Sequence, residues 1–183
     1  MDFRSLQYEG GSILNLDEYD TADAYLSRVT KRLKAEGFRI DENITWMNQT
    51  FEYTAKRIRL EIEKFGFVGT FFLFAKFSSL DRDSLAYFSA ESFKYAEKVH
   101  GILLPRGLFY GIVCFPIAIV DAIDTDTAEI IYSKEPPKHW AAFEMPVVYS
   151  LVSKTLHYCV LTPTWGWIYY DQLRQTINNM LAL

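Results

Sequence analysis

Residues 136–148, "PPKHWAAFEMPVV", gather the side-chain types that most often do chemistry. Pro136 and Pro137 fix an extended approach, His139 and Trp140 stand at its end, and Glu144 lies at the mouth of the next apolar run. Histidine titrates near neutrality and a carboxylate can orient it, so rigid prolines presenting the two on a loop suit a binding or proton-transfer site. The bland alternative is that Trp140 and Phe143 plug a sheet end while His139 faces water. A second stretch, "LTPTWGWIYY" at 161–170, sets Trp165 and Trp167 on either side of Gly166 after a Thr-Pro-Thr turn. At a helix entrance the two rings leave on different sides of the first turn, so one packs inward and the other is available as a flat binding wall. If the 136–148 loop folds back onto this entrance, the two stretches make opposite walls of one pocket.

Four further constellations are weaker. His157 and Cys159 are two apart on an expected strand and share a face, as metal ligands or a thiolate–imidazole pair would, but a small buried Cys159 accounts for the same spacing. Asp121, Asp124 and Asp126 lack the glycine and the terminal glutamate of a calcium loop, which leaves turn and cap duty. Glu42 falls in phase with Phe38, Ile40, Ile44 and Trp46, so it either faces the covered side and needs a partner or marks where the strand overruns the core. Arg106 completes an alternative enzymatic set of scattered residues: Glu42, Arg106, His139, Glu144 and His157.

The familiar enzyme signatures are missing from the sequence. It has no Gly-x-Gly-x-x-Gly, no Walker-type phosphate loop, no Gly-x-Ser-x-Gly elbow, no Cys-x-x-Cys and no His-Glu-x-x-His. No cofactor and no metal site is therefore expected.

These residues need elements to hold them. Ala22, Tyr25, Leu26, Val29 and Leu33 recur at helical spacing, with Asp17 or Asp20 as caps and Gly37 as the stop. The period then changes to two over 38–46, and after a turn at Met47–Thr50 a second strand runs from Phe51 to Glu63. In its alternating half, Ile58, Leu60 and Ile62 should face the core, while arginine and glutamate share a solvated side. Residues 67–77 and 108–120 are apolar on both faces, which predicts two central strands covered by helices, with Pro116 forcing a bulge or an unpaired edge. Between them a helix spans Ser79–Val99 and stops at Gly101. Asp126 and Glu129 have capping-box spacing for a short helix through Ile131, strands near 144–150 and 155–161 form a hairpin, and a last helix starts at Thr164. Residues 3–16 suit a small hairpin around Gly10-Gly11.

The expected order is α-β-β-β-α-β-(α)-β-β-α, an α+β class with a mostly antiparallel or mixed β-sheet flanked by helices, read as one domain over 1–183. The first six elements resemble in order the core of the PD-(D/E)XK nuclease superfamily, whose third strand carries an acid, one residue and a lysine for metal-dependent cleavage. Here that strand ends Phe74-Ala75-Lys76, and no Asp-x-Lys or Glu-x-Lys occurs anywhere. The resemblance therefore implies at most an inactive nuclease-like domain.

Composition narrows the function classes. A net charge of -4 argues against a nucleic-acid partner, which needs a basic patch. Two cysteines suit a reducing compartment, and neither a signal peptide nor a membrane-length apolar run is apparent, so the expectation is a cytoplasmic protein off the membrane. Aromatic residues at 16% imply a bulky core or an aromatic-lined surface. The leading expectation is a non-catalytic binding or assembly module using that surface through Arg106, His139, Trp140, Glu144, Trp165 and Trp167. Apolar residues Ile177, Met180, Leu181 and Leu183 further suggest a homodimer through the C-terminal helix or a nearby strand edge.

Overall fold

Helix α1 (Ala22–Ala35) forms where the apolar stripe places Tyr25, Leu26, Val29 and Leu33 on one buried face. Its N-cap is Thr21, whose hydroxyl accepts from the Ala24 N–H at 3.1 Å. Gly37, at φ +81°, ends it by turning the Phe38 N–H back to the Leu33 carbonyl. The computed structural model describes residues 21–61, 66–103, 106–162 and 167–183. The expected N-terminal hairpin, the caps at Asp17, Asp20 and Thr164, the end of the second strand and Trp165 lie outside the described residues.

Strands β1 (Arg39–Trp46), β2 (Gln49–Glu61) and β3 (Gly66–Lys76) form an antiparallel meander. Helix α2 (Arg82–Val99) then crosses back, so that β4 (Tyr110–Val120) pairs parallel to β3. Its capping box is formed by Asp81 and Ser84, three residues inside the expected start. Helix α3 (Thr125–Ser133) is capped by Asp124 through Thr127 rather than opened by Asp126 and Glu129. Two short strands missed by the sequence pattern follow, β5 (Lys138–His139) and β6 (Ala142–Glu144), and then the expected hairpin of β7 (Val147–Ser150) and β8 (Thr155–Tyr158). Helix α4 (Trp167–Leu181) closes the order. The result is a mixed eight-stranded sheet in an α+β fold, with β3 and β4 in its centre. No helix among the described residues is long and apolar enough to cross a membrane.

Each face of the sheet carries a core. Helices α1 and α4 cover one side, where Phe72, Phe74, Phe115, Ile117 and Tyr149 are buried. Helices α2 and α3 cover the other, over Phe71, Leu73, Cys114, Ala118 and Val148. Phe38, just before β1, is buried in the first core and Ile40 packs against it, whereas Ile44 and Trp46 pack against the second. The switch falls beside Asn43, whose φ of +53° breaks the plain alternation, and it leaves Glu42 exposed. Ile58 and Leu60 are also exposed, contrary to the alternating reading. Lys56 already donates to the Val99 carbonyl at the end of α2, so residues further along β2 run past the helix that would have covered them.

Pro116 produces neither a bulge nor an outer edge. The pairing of β4 with β3 runs through it without a register break. On the other side, β4 pairs with β6 through Ile112–Cys114 and with β7 from Ile117 onward, leaving a gap opposite Met145-Pro146. Two prolines that cannot donate thus meet at one missing rung of the ladder.

Candidate functional site

The tight β5–β6 hairpin decides which of the singled-out residues meet. His139 pairs with Ala142 across it, and Ala141 turns the chain at φ +50°. Alternation along β6 then sends neighbouring side chains to opposite faces. Phe143 goes towards α4, where it approaches the Tyr169 and Tyr170 rings at 5.4 and 6.0 Å. Glu144 goes towards α2 and is 3% exposed.

A buried carboxylate needs partners for both oxygens. Glu144 has them: Ser89 of α2 donates its hydroxyl to Oε1, and His139 Nε2 lies 2.7 Å from Oε2. The Ser89 bond ties the hairpin to the helix, and the His139 contact braces the hairpin across its own two strands. His139 is further fixed by stacking flat on Phe93, with ring centroids 3.8 Å apart and planes 10° from parallel. Arg106 stands beyond the same ring, its guanidinium carbon 5.9 Å from the Phe93 centroid, and it forms an ion pair with Glu97. Across the sheet ladder, Cys114 sits in register with Glu144. Burial first, and the Glu144 charge second, push its thiol well above the ordinary range, so Cys114 stays a neutral core residue.

Arg106, His139 and Glu144 therefore converge, as the sequence suggested, on a cavity of about 460 Å³ between α2, α3 and the hairpin. Its α2 wall presents Arg82, Leu85, Ala86, Ser89, Ala90, Phe93, Lys94 and Glu97, which is one face of the helix. Along α2, at about 1.5 Å per residue, that face extends about 22 Å, so the cavity is a groove. Thr127, Ile130, Ile131 and Lys134 of α3, followed by Pro136 and Pro137, make the facing wall. Ser89 and Phe93 were missed by sequence reasoning. The available signal was Ser89 itself, a polar residue four positions after Leu85 on the inward stripe of α2.

Of the remaining candidates, Trp140 does not line the groove. Trp140 is 74% exposed and laps the hairpin tip over Gly107. Gly107 is at φ +88°, and a β-carbon there would sit 2.3 Å from the indole nitrogen, so glycine is required twice over. Trp165 lies outside the described residues, and Trp167 opens α4 with its side chain outside the description as well. Phe143 and Tyr169 do line a second cavity, of about 630 Å³, on the α4 face. Phe143 and the His139–Glu144 pair thus line cavities on opposite faces of the sheet.

His157 is engaged elsewhere, with the Tyr132 hydroxyl 2.7 Å from Nδ1 and the Thr155 hydroxyl 2.9 Å from Nε2. Burial lowers its pKa. Cys159 lines the groove, but burial raises its thiol, which leaves it a poor nucleophile. Asp121 and Asp126 are exposed, and Asp124 is the α3 cap. Lys76 forms ion pairs with Asp23 at 2.8 Å and Glu52 at 3.7 Å, while Phe74, where a nuclease acid would stand, is fully buried. Among the described residues no three His, Cys, Asp or Glu side chains are placed to hold a metal ion. Comparison with protein-family models, with curated proteins and with solved structures finds no match for this chain.

Proposed function

We propose that the protein is a non-catalytic binding module and that the groove between α2 and α3 is its ligand site. One observation carries the reading: Arg106 meets the hairpin pair His139 and Glu144 on a mostly apolar groove whose buried carboxylate is satisfied by Ser89 and His139. An apolar cavity of this size with a few fixed polar groups is the usual make-up of a small-molecule site. The binding surface is more aliphatic than the aromatic one expected, since Phe93 and the His139 ring are its aromatic groups.

The test uses anilinonaphthalene sulfonate, a dye that brightens in apolar sites. The native protein should enhance its fluorescence, and Ala90→Trp or Ala86→Trp, both at exposed groove positions on α2, should remove the enhancement while circular dichroism stays unchanged. Enhancement that survives both folded variants counts against the groove.

A second, enzymatic reading is favoured by the His139–Glu144 pair alone, because a carboxylate on Nε2 orients the imidazole and leaves Nδ1 to face a ligand or metal. It expects a rise in melting temperature with Mg²⁺, Mn²⁺ or Zn²⁺ that disappears in His139→Ala.

A further inference from the structure

The charges lining the groove are unequally matched. Its acids are all engaged: Glu97 by Arg106, Glu135 by Lys138 at 2.9 Å, and Glu144 by Ser89 and His139. Lys94 is held by Glu91 at 2.7 Å. Among the described residues, Arg82 and Lys134 are the lining cations left without an acidic partner, one on each helical wall. The walls are otherwise lined by Leu85, Ala86, Ala90, Ile130, Ile131 and Pro136, which offer a ligand no hydrogen bond from their side chains. A long apolar trough with surplus positive charge suits a molecule that is linear, apolar along its body and negative at one group.

Resting on the reading of the groove as the ligand site, we propose that its ligand class is an alkyl carboxylate, a chain that lies along α2 with its anionic group on Arg82 or Lys134. Glu144 and His139 do not hold the anion. They pin the hairpin to α2 and so fix the end of the trough where His139 stacks on Phe93.

Calorimetric titration with octanoate, decanoate and dodecanoate below their micelle concentrations tests this, with decanol and decyltrimethylammonium as neutral and cationic controls. Affinity should rise about fourfold per added methylene, the increment of burying one CH₂. Decanol should bind about tenfold more weakly than decanoate, and the cation more weakly still. Arg82→Gln together with Lys134→Gln, both at exposed positions, should lower decanoate affinity about tenfold and leave decanol unchanged. Decyl phosphate separates the source of the charge: binding well below that of decanoate supports a carboxylate, and binding tighter than decanoate overturns it. Equal affinity for decanoate and decanol, insensitive to both substitutions, overturns the ligand class while leaving the groove as a binding site. Failure of every alkyl compound, with a dye signal that also ignores Ala90→Trp, overturns the site as well.

Discussion

The two faces of the sheet are covered in the same manner, each by two helices, yet they are filled differently. Under α1 and α4 the contacts are ring on ring and chain on chain: Tyr25 stacks on Tyr149 at 3.7 Å, and Phe72 on Phe115 at 4.8 Å. Under α2 and α3 rings also meet, Phe77 with Phe88 at 5.2 Å and Phe51 with Phe88 at 6.1 Å, but buried polar groups are added: Ser89, Glu91 and Ser92 of α2, Thr127 of α3 and Glu144 of β6. Buried apolar area stabilises directly, whereas a buried carboxylate must recover its desolvation cost through its partners and at best roughly breaks even. The first face is organised for stability. The second gives up stability to hold particular groups in particular places, as the proposed binding groove would require.

The sharpest way to break this contrast is to truncate one residue on each face. Phe115→Ala, on the α1/α4 side, should cost about 3–5 kcal/mol in urea unfolding. Glu144→Gln keeps a bond to Ser89 but weakens that to His139, and should cost about 1–3 kcal/mol. Replacing the set with Glu144→Leu and Ser89→Ala together should restore near-native stability while weakening ligand binding, because the hairpin loses its hydrogen bond to α2. If the double variant is as unstable as Phe115→Ala, the two faces do not differ in kind.

Gly107→Ala, at the junction of the hairpin tip and the β4 entry, should cost about 1–3 kcal/mol from its positive φ and the indole contact. Adding Trp140→Ala should recover the contact share but not the backbone share, measured as a non-additive double-mutant cycle. Thr21→Ala and Asp81→Ala remove one cap from each side and should cost about 1 kcal/mol each in thermal melts. The smallest effect is with pH. Burial lowers the pKa of both His100 and His157 from an ordinary 6.5, so the unfolded chain takes up protons before the folded one does. Stability should be complete above that value and decline as pH falls through it towards the lowered folded pKa values, and His157→Gln should make the decline shallower.

Much of the frame could be read from local periods. The α1 stripe and the doubly apolar β3 and β4 each declare their element within a dozen residues, because burial on one helix face or on both strand faces leaves a pattern that does not depend on the rest of the chain. Where one dihedral decides the outcome, the pattern misleads: Asn43 at φ +53° moves Ile44 and Trp46 to the other core and strands Glu42 in solvent. The β5–β6 hairpin escaped notice because two- and three-residue strands have no period to detect. Of the site, His139 and Glu144 were legible as residue types beside rigid prolines, and so was their nearness to each other. Their separation from Phe143 was not, since it needs the register of β6 against β4. The C-terminal helix divides in the same way: Ile177 and Leu181 are fully buried against this chain's own core, whereas Leu183 remains 53% exposed.

Arg32 of α1 reaches across to the Asn179, Met180 and Ala182 carbonyls at the end of α4, and Tyr25 bonds to the Leu181 carbonyl. The two helices that seal one face are therefore the first and the last described elements. During synthesis the α2/α3 side can assemble from neighbouring segments as they emerge, whereas the aromatic side waits for residues near 181 before its second cover exists. Until then Phe72, Phe74, Phe115 and Tyr149 have only α1 to cover them, and that interval is when a chaperone would have most to hold.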